Sequence, residues 1–363
     1  MKPRTPGFGL IVATVGLLAL LPLSAAAGMT TEEVKAFEGY KAKAEKGDAQ
    51  AQNHLAEHYF DGVGVALDYV EAVKWFRKAA DQGNAFANTN LGLCYAGGAG
   101  VQRDYVEAMK WYRKAAEQGS SEAQNVVGSF YSMGIGVPRD YVEALKWYRK
   151  STDQGNAHAQ VNMGACYANG QGLAPDDIEA VKWFRKAAEQ GNDGAQYNLG
   201  KYYFDGKGVI KNQYEAAKWF RKAADQGNIK AQHHLGGCYM LGQGVVTDDA
   251  EAVNWIRKAA MQGYADAQYN LGQCYQMGRG VPKDTAEAYA CYSLAISRDE
   301  DARIEFASLE KTISPEARRH GQQRTKELQK EVEKAMMVSF EQLRVHQRAR
   351  ELEEELASKK TVK

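Results

Sequence analysis

The sequence has few of the features that separate independent globular domains. Only 7 of the 363 residues are proline, and glycine, with 36 residues, is the main interruption along the chain. Several cores joined by linkers would be separated by proline- and glycine-rich segments at irregular intervals. Because proline is scarce here, we expect the glycines to follow a regular pattern instead. Apolar residues make up 44% of the chain, which is enough for a packed core and too many for a disordered protein.

An excess of charge of one sign is also missing. Lysine and arginine number 46, against 45 aspartate and glutamate residues. Nucleic-acid binding draws its affinity largely from clustered positive charge. The balance therefore predicts a protein with no nucleic-acid partner.

Long apolar runs are missing except at the N-terminus. A basic start at Met1–Arg4 precedes an apolar run from Phe8 to Leu21, and small residues follow up to Gly28. This order is typical of a secretory signal peptide, here residues 1–27, cleaved after Ala27. We expect a periplasmic or secreted protein with no membrane span after cleavage, and the alternative is an uncleaved anchor over residues 8–27.

The glycines and aromatic residues recur at a fixed interval. Tryptophan occurs six times, and each step is 36 residues: Trp75, Trp111, Trp147, Trp183, Trp219 and Trp255. A G-x-G pair repeats at the same interval from Gly62/Gly64 to Gly278/Gly280. Seven units therefore run over residues 48–299, and a period of this length is typical of a solenoid.

Each unit contains two helical patterns separated by its G-x-G pair. In the unit around Trp219, apolar residues recur at steps of four over residues 195–203 and again over 215–224. Glycine reaches the positive backbone angles that end a helix, so each pair predicts a turn between two helices. Neither helix can bury its apolar face alone. The sequence thus predicts an all-α fold, a right-handed α/α superhelical solenoid of seven 36-residue units.

The two ends of the repeat array predict capping segments. Residues 28–47 resemble a lone second helix, and residues 300–330 read as a final helix pair in which Ser314 caps the second helix. Residues 331–363 are expected to form a charged helical tail. An apolar stripe crosses the start of this tail, and we expect it either to pack on the last repeat or to mediate self-association. The stripe consists of Leu328, Val332, Met336, Phe340 and Leu343.

The repeat resembles the SEL-one-like repeat (SLR), a helical repeat related to the tetratricopeptide repeat. Its consensus in this chain is A-Q-x-N-L-G-x-x-Y-x-x-G-x-G-V-x-x-D-x-x-E-A-x-K-W-[FY]-R-K-A-A-[ED]-Q-G. The resemblance implies a non-enzymatic scaffold that holds a protein or extended peptide in a concave groove, and exported bacterial members imply a role in the cell envelope. We find no nucleophile and base at unique positions, so we expect no catalytic residues and no cofactor.

Two other functions stay open at this point. Some cysteine-rich relatives imply a cell-wall enzyme or sensor with penicillin-binding or weak β-lactamase-like activity. The C-terminal helix would instead make the protein a structural stalk that oligomerises.

The groove would be lined by the variable positions of the first helix in each unit. These positions are spaced three and four residues apart, and mixed aromatic, amide and charged side chains suit peptide recognition. The candidate groove residues are Asn53, Glu57, Phe60, Tyr197, Lys201, Phe204, His233, Met240, Tyr269, Gln273 and Gln276. A recurring asparagine beside them is expected to form structural hydrogen bonds: Asn90, Asn162, Asn198 and Asn270.

Three further patterns in the sequence involve histidine, charged or cysteine side chains. His54-x-x-Glu57-His58 matches a zinc-protease motif, but both histidines replace ordinary helix residues of other repeats, so we expect no metal site. The recurring Arg-Lys pairs predict a solvated row of ion pairs with nearby acids such as Asp81 and Glu117. Cysteine-rich members of the family carry a cysteine on each helix of a unit, an arrangement met here by Cys274 and Cys291 alone, so the resemblance leaves a disulfide between these two open.

Overall fold

The computed structural model describes residues 29–337, and all regular secondary structure in that range is α-helical. Each repeat supplies a first helix (A) and a second helix (B). The A helices are α2 (Ala49–Asp61), α4 (Ala85–Gly97), α6 (Ser121–Met133), α8 (Ala157–Asn169), α10 (Asp193–Asp205), α12 (Ile229–Leu241) and α14 (Ala265–Met277). The B helices are α3 (Tyr69–Asp81), α5 (Tyr105–Glu117), α7 (Tyr141–Asp153), α9 (Asp177–Glu189), α11 (Gln213–Asp225), α13 (Asp249–Met261) and α15 (Thr285–Ala295). The array is preceded by α1 (Thr31–Ala44) and followed by α16 (Glu300–Thr312) and α17 (315–337).

The described chain divides into two compact units, residues 29–183 and 184–337. Within each unit, helices that follow one another in the chain pack against each other. The predicted all-α repeat fold is confirmed. None of the helices within residues 29–337 is both long and apolar enough to cross a membrane. The predicted signal peptide, residues 1–27, lies outside the described residues.

Side-chain caps and glycines set the ends of the helices. Asp68 caps α3 by accepting a hydrogen bond from the Glu71 amide at 2.9 Å, and other B helices repeat this arrangement. Asn84 caps α4 in the same way through the Ala87 amide. These caps satisfy amides that have no partner inside the helix. All seven A helices end on a left-handed glycine, for example Gly98 at φ 75° and Gly170 at φ 66°.

The second glycine of each G-x-G pair brings two repeats together. Gly100 has φ 69°, and a β-carbon placed there would lie 2.1 Å from the carbonyl oxygen of Tyr69, at the start of the preceding B helix. Gly136 and Gly280 sit in the same way against Tyr105 and Asp249. The pairs are therefore turns, as predicted, and their second glycine is also a contact between repeats.

The B helices carry most of the large buried side chains. Trp111 packs into the apolar cluster of the preceding repeat, beside Ala79 and Ala80 of α3. Trp147 and Trp255 occupy the same place relative to their preceding repeats. In several repeats an aromatic ring of the B helix packs directly against a glycine of the A helix. The two helices can approach this closely because the glycine has no side chain.

Among the described residues, several of the Arg-Lys pairs have partners other than the following acids predicted for them. Arg113 does pair with Glu117, at 3.5 Å. Arg185 instead donates to the Tyr203 hydroxyl of the next A helix at 2.8 Å, and Arg257 does so to Tyr275. The lysine of each pair lies over the tryptophan three residues earlier, at 3.6 to 4.2 Å from the ring centroid in five repeats. The rings attract these lysines because the indole face is electron-rich.

Ion pairs form one turn earlier on the same helices. Glu107 pairs with Lys110 at 2.8 Å, and the equivalent pair recurs in four other repeats. The sixth repeat has Asn254 in place of this lysine, and Glu251 there accepts a hydrogen bond from the Trp255 indole N–H at 2.7 Å. In the described chain the indole N–H of Trp111 has no such partner. The lysine thus competes with the tryptophan for the glutamate.

Buried glutamines link the two helices of a repeat and tie each repeat to the one before. Gln124 of α6 donates to the Ala116 carbonyl at the end of α5, and it accepts from Gln154, which follows α7, at 2.8 Å. The same pair of bonds joins Gln196 to Ala188 and Gln226. These glutamines belong to the repeat consensus, but helical periodicity alone does not predict their hydrogen bonds.

The second repeat breaks this glutamine network. Asn88 replaces the glutamine, and its shorter side chain donates to Gln118 at 3.1 Å while its own oxygen stays buried with no partner in the described structure. We expect Asn88→Gln to raise the free energy of unfolding by about 1 kcal/mol, because it restores a bond to the Ala80 carbonyl and satisfies a buried polar atom. Urea denaturation would measure this.

The matched control is the reverse change in the third repeat. Gln124→Asn should lower the free energy of unfolding by a similar amount of about 1 kcal/mol. An unchanged or lower stability for Asn88→Gln, alongside a destabilised Gln124→Asn variant, would show that Asn88 is adapted to its site.

Helices at both ends cover the repeats. The Thr30 hydroxyl and the Glu33 side chain form a capping box at the start of α1, which buries Phe37. Ser314 caps α17 as predicted, through the Ala317 amide. Helix α17 continues past residue 330 without a break, so the boundary drawn there does not coincide with a helix end.

The apolar stripe of α17 packs onto its own repeats. Leu328 belongs to the cluster that contains Val253 and Ile256, and Val332 is buried. Met336 lies beside Gly263 at the end of the sixth repeat. Phe340 and Leu343, the rest of the predicted stripe, lie outside the described residues. The described part of the stripe therefore acts within the chain.

Candidate functional site: the A-helix face

The candidate site is the A-helix face, defined by the positions that Asn53, Glu57 and Phe60 occupy in the first repeat. In the first unit the structure shows that one predicted groove residue, Asn53, was wrongly assigned. Asn53 is buried, with 3% of its surface exposed, so it is unavailable as a groove residue. It donates to Glu57 at 2.7 Å and accepts from Asn90 of the next repeat at 3.2 Å. The following A helix covers it, which the periodicity of a single helix cannot reveal.

The middle of the first unit is closed in part, since Thr89, Ser132 and Val161 on the same face are half-buried. Asn162 donates to the buried Asn125 at 2.8 Å, and the neighbouring face positions hold the small residues Ser129 and Ala165, which are also buried. The prediction that the recurring asparagines form structural hydrogen bonds is confirmed for Asn90 and Asn162. These repeats use the face to join A helices.

Phe60 is also turned toward its own repeat. Its ring packs edge-on against Tyr69 at 5.0 Å and lies 6.3 Å from Phe76. Glu57 is half-buried and lies 3.0 Å from the imidazole of His54. Of the three candidates in the first repeat, Glu57 thus keeps an accessible polar group, but that group is engaged by its neighbours.

The face changes character in the second unit. Tyr197 takes the place of Asn53 and is half-buried, with its ring 5.5 Å from that of His234. His234 stacks on Phe220 at 5.3 Å with an interplanar angle of 13°. Phe204 lies behind this cluster, 6.4 Å from Phe220. Lys201 is exposed, so one ammonium group stands beside a set of aromatic edges.

Two histidines join the fifth, sixth and seventh repeats. His233 hydrogen-bonds to Asn270 at 2.7 Å and packs edge-on against Tyr264 at 5.3 Å. Burial lowers the pKa of His233, and it lowers the pKa of His234 to about 4, with the charges of His233 and Lys201 adding to the effect. Both imidazoles are therefore neutral at physiological pH.

The seventh repeat presents amides held by tyrosines. Gln273 donates to the Tyr269 hydroxyl at 2.7 Å, and Gln276 accepts from Tyr292 at 2.5 Å. Both glutamines and Tyr269 are half-buried, and Met240 of the sixth repeat packs against the neighbouring apolar cluster. The second unit thus brings its candidate residues together as a partly exposed surface of aromatic, amide and ammonium groups.

The zinc-protease pattern is explained by local contacts. His58 is buried and its imidazole donates to the Val63 carbonyl at 2.6 Å. Within residues 29–337 no group of three or more histidine, cysteine, aspartate or glutamate side chains is placed to hold a metal ion.

Cys274 and Cys291, between which the resemblance leaves a disulfide open, are separate thiols in the structure. Both lie in the apolar cluster of the last repeats. Burial raises the pKa of Cys274 to about 11 and that of Cys291 to about 12, which keeps both thiols protonated and unreactive.

Comparison with known proteins agrees with this architecture. A family model described as the Sel1 repeat matches seven consecutive segments, residues 49–84, 85–120, 121–156, 157–192, 194–228, 229–264 and 265–300. The structure of a Sel1 repeat protein from Oxalobacter formigenes is 33% identical, with 82% of this chain and 86% of that chain covered and a TM-score of 0.63. No curated protein matches the chain.

A second solved structure is also similar in sequence. It is c5321, described as a protective antigen of uropathogenic Escherichia coli strains with an SLR fold, at 32% identity, with 84% of this chain and 81% of that chain covered and a TM-score of 0.40. Seven contiguous family matches span well over half of the chain. The protein belongs to the Sel1 repeat family.

Proposed function

We propose that this protein is a non-enzymatic scaffold that binds a protein or extended peptide on the A-helix face of its second unit. Sel1 repeat proteins are generally non-enzymatic scaffolds, and repeat proteins of this type bind proteins. The observation that supports this location is the change along the face. Asn53, Asn125, Ser129 and Ala165 are buried on this face in the first unit, whereas every position of the face in the second unit is half-buried or exposed, Tyr197, Lys201 and Tyr269 among them.

The chemistry of this surface suits an extended peptide. Half-exposed tyrosines offer apolar area with a polar edge at little entropic cost, because each side chain is already held by neighbours. The amides of Gln273 and Gln276 can exchange their present tyrosine partners for the amide groups of a peptide backbone. Lys201 supplies one exposed positive charge, which favours a carboxylate on the ligand.

We also propose that the protein works in the bacterial cell envelope, as its N-terminal segment predicts. The mature N-terminus would then be Gly28. Edman sequencing of the protein from the periplasmic and membrane fractions tests this, and an intact Met1 on protein recovered with the membranes would favour the uncleaved anchor.

Site-specific photo-crosslinking tests the binding face. A benzoylphenylalanine placed at Tyr197 or at Tyr269 in the full chain should capture the same polypeptide in the envelope. The matched control is the same residue at Val106, an exposed position on helix α5 of the first unit. Equal capture at all three positions, or different polypeptides at 197 and 269, would refute a specific site on this face.

Affinity then separates binding from proximity. With the captured polypeptide purified, Tyr197→Ala combined with Tyr269→Ala should weaken binding by at least about tenfold, since aromatic side chains dominate such interfaces. Val106→Ala should leave the affinity unchanged.

A chromogenic β-lactam should not be hydrolysed above the buffer rate, and clear turnover would favour the cell-wall enzyme instead.

A further inference from the structure

Three aromatic rings occupy one repeat position along the A-helix face of the second unit. Tyr197, His233 and Tyr269 follow one another at intervals of 36 residues, on helices α10, α12 and α14. All three side chains are half-buried. We call these three residues the aromatic ladder. Glu305 stands at the same position in α16 and ends the ladder there. Repeats five to seven thus each offer one ring to a ligand that crosses the A helices.

The repeat fold itself does not require these rings. The first four repeats have Asn53, Thr89, Asn125 and Val161 at the same position. The A helices of these repeats nevertheless end on the same left-handed glycines. The stacking of repeats therefore does not explain the aromatic ladder, which is specific to the second unit.

The rings of the ladder are spaced by the distance between neighbouring A helices. Packed helices lie about 8–10 Å apart. The ring of His234 lies between the first two rings, 5.5 Å from that of Tyr197 and 5.8 Å from that of His233. Tyr197 and His233 are therefore no farther apart than these two distances combined. His233 also hydrogen-bonds to Asn270, the neighbour of Tyr269 in the chain, at 2.7 Å. A ligand that contacts every ring must present equivalent groups about 8–10 Å apart.

Among peptide conformations, polyproline II matches this spacing. Its turn of three residues rises about 9 Å, so that every third residue faces the same side. A β-strand returns to the same face at about 6.6 Å or at about 13 Å, and neither distance fits. Two turns of an α-helix rise about 11 Å, but the backbone polar groups of a helix bond within it. A helical ligand would therefore offer no backbone group to the polar side chains of this face.

The polar groups beside the ladder include three hydrogen-bond donors. Gln276 accepts from Tyr292 at 2.5 Å, so its amide nitrogen remains to donate to a ligand. The Tyr269 hydroxyl accepts from Gln273 at 2.7 Å and keeps its own O–H to donate. Lys201 adds an exposed ammonium group. A proline residue has a carbonyl acceptor and no N–H, so these donors suit a segment rich in proline.

We infer that the ligand of this face is a proline-rich segment in the polyproline II conformation. The inference rests on the proposed function and names the class of its partner. Every third residue of the segment packs on Tyr197, His233 and Tyr269 in turn. The carbonyl groups between them accept from Tyr269, Gln276 and Lys201. Aromatic-lined grooves recognise such segments because polyproline II is already formed before binding, and little conformational entropy is lost.

Two peptides of identical composition test this register on the full chain. Each is a fluorescein-labelled heptamer of five prolines and two glycines, and fluorescence anisotropy gives its affinity. Glycines at positions 2 and 5 leave prolines at 1, 4 and 7, one for each ring of the ladder. Glycines at positions 1 and 4 leave one proline in that register. We expect the first peptide to bind at least about fivefold more tightly. Equal affinities for the two peptides would overturn the inference.

Variants of the ladder show where the peptides bind. Asparagine stands at this position in the first and third repeats, so Tyr197→Asn and Tyr269→Asn are compatible with the fold. Each should remove the difference in affinity between the two peptides, because two rings remain. Tyr269→Phe should retain the difference, and so should the matched control Val161→Ala in the fourth repeat. A difference that survives in both asparagine variants would place proline binding elsewhere and contradict the inference.

The polypeptide captured by crosslinking separates this inference from the function on which it rests. If that polypeptide binds with its dependence on Tyr197 and Tyr269 while neither proline peptide binds, the inference is wrong and the proposed function stands. If the captured polypeptide and both proline peptides fail to bind, both are wrong.

Discussion

Gly100→Ala is expected to lower the free energy of unfolding by about 3–5 kcal/mol, the largest effect of any single methyl group considered for this chain. Two costs combine. Gly100 has φ 69°, which disfavours any side chain, and the new methyl group would meet the Tyr69 carbonyl at 2.1 Å. Because that atom belongs to the backbone of the preceding repeat, the two repeats must move apart. Urea denaturation followed by circular dichroism measures the loss.

Gly119 provides a matched control. It has φ 99°, and a β-carbon there would have no neighbour within 4 Å. Gly119→Ala therefore includes the backbone cost alone, about 1–2 kcal/mol. If both substitutions cost the same, the close approach of Gly100 to the first repeat contributes nothing to stability.

Acidification from pH 7 to pH 4 is expected to remove about 3 kcal/mol of stability through His234 alone. Its folded pKa of about 4 lies below its unfolded value of 6.5, so the unfolded chain binds the proton first. Stability is therefore unaffected above pH 6.5, falls as the pH drops toward 4, and levels off below that. The loss arises because a charged imidazole would be held against Phe220 beside His233 and Lys201, with Asp205 and Asp266 offsetting it only in part.

His234→Asn isolates this contribution from the carboxylates that also titrate. Asparagine stands at the same position in the second, fourth, fifth and seventh repeats, so the substitution is compatible with the fold. Thermal denaturation of both proteins from pH 7.5 to 4 should give curves that converge at high pH and separate progressively below pH 6.5. Parallel curves would mean that His234 titrates normally in the folded protein.

The sequence was sufficient to predict the helices and turns because each depends on residues close together in the chain. Gly98 ends an A helix, Asp68 caps a B helix, and both recur with the period that identifies the repeat. The role of Ser314 was predictable for the same reason. The 36-residue interval also predicted that neighbouring units stack, since no single unit can bury its own apolar face.

The candidate site was harder to predict because its exposure depends on the next repeat. Asn53 and Tyr197 occupy equivalent positions, yet one is buried beneath a hydrogen bond from Asn90 and the other stays half-exposed beside His234. A single helix pattern treats them alike. The partners of the arginines in the Arg-Lys pairs were wrongly predicted for a related reason. Arg185 donates to a tyrosine 18 residues away, on the next helix, and no local pattern indicates that distance.

The polar bonds within and between repeats occur at constant separations along the chain. Asn90 meets a residue 37 positions earlier, as Asn162 and Asn270 do, and four glutamine pairs are separated by 30 positions. A single-residue insertion would shift every such partner near it, whereas an added or deleted block of 36 residues would leave each new neighbour in the correct place. Gene duplication can therefore change the number of repeats at any starting point in the unit, and the length of the protein can evolve in steps of one repeat while every junction is preserved.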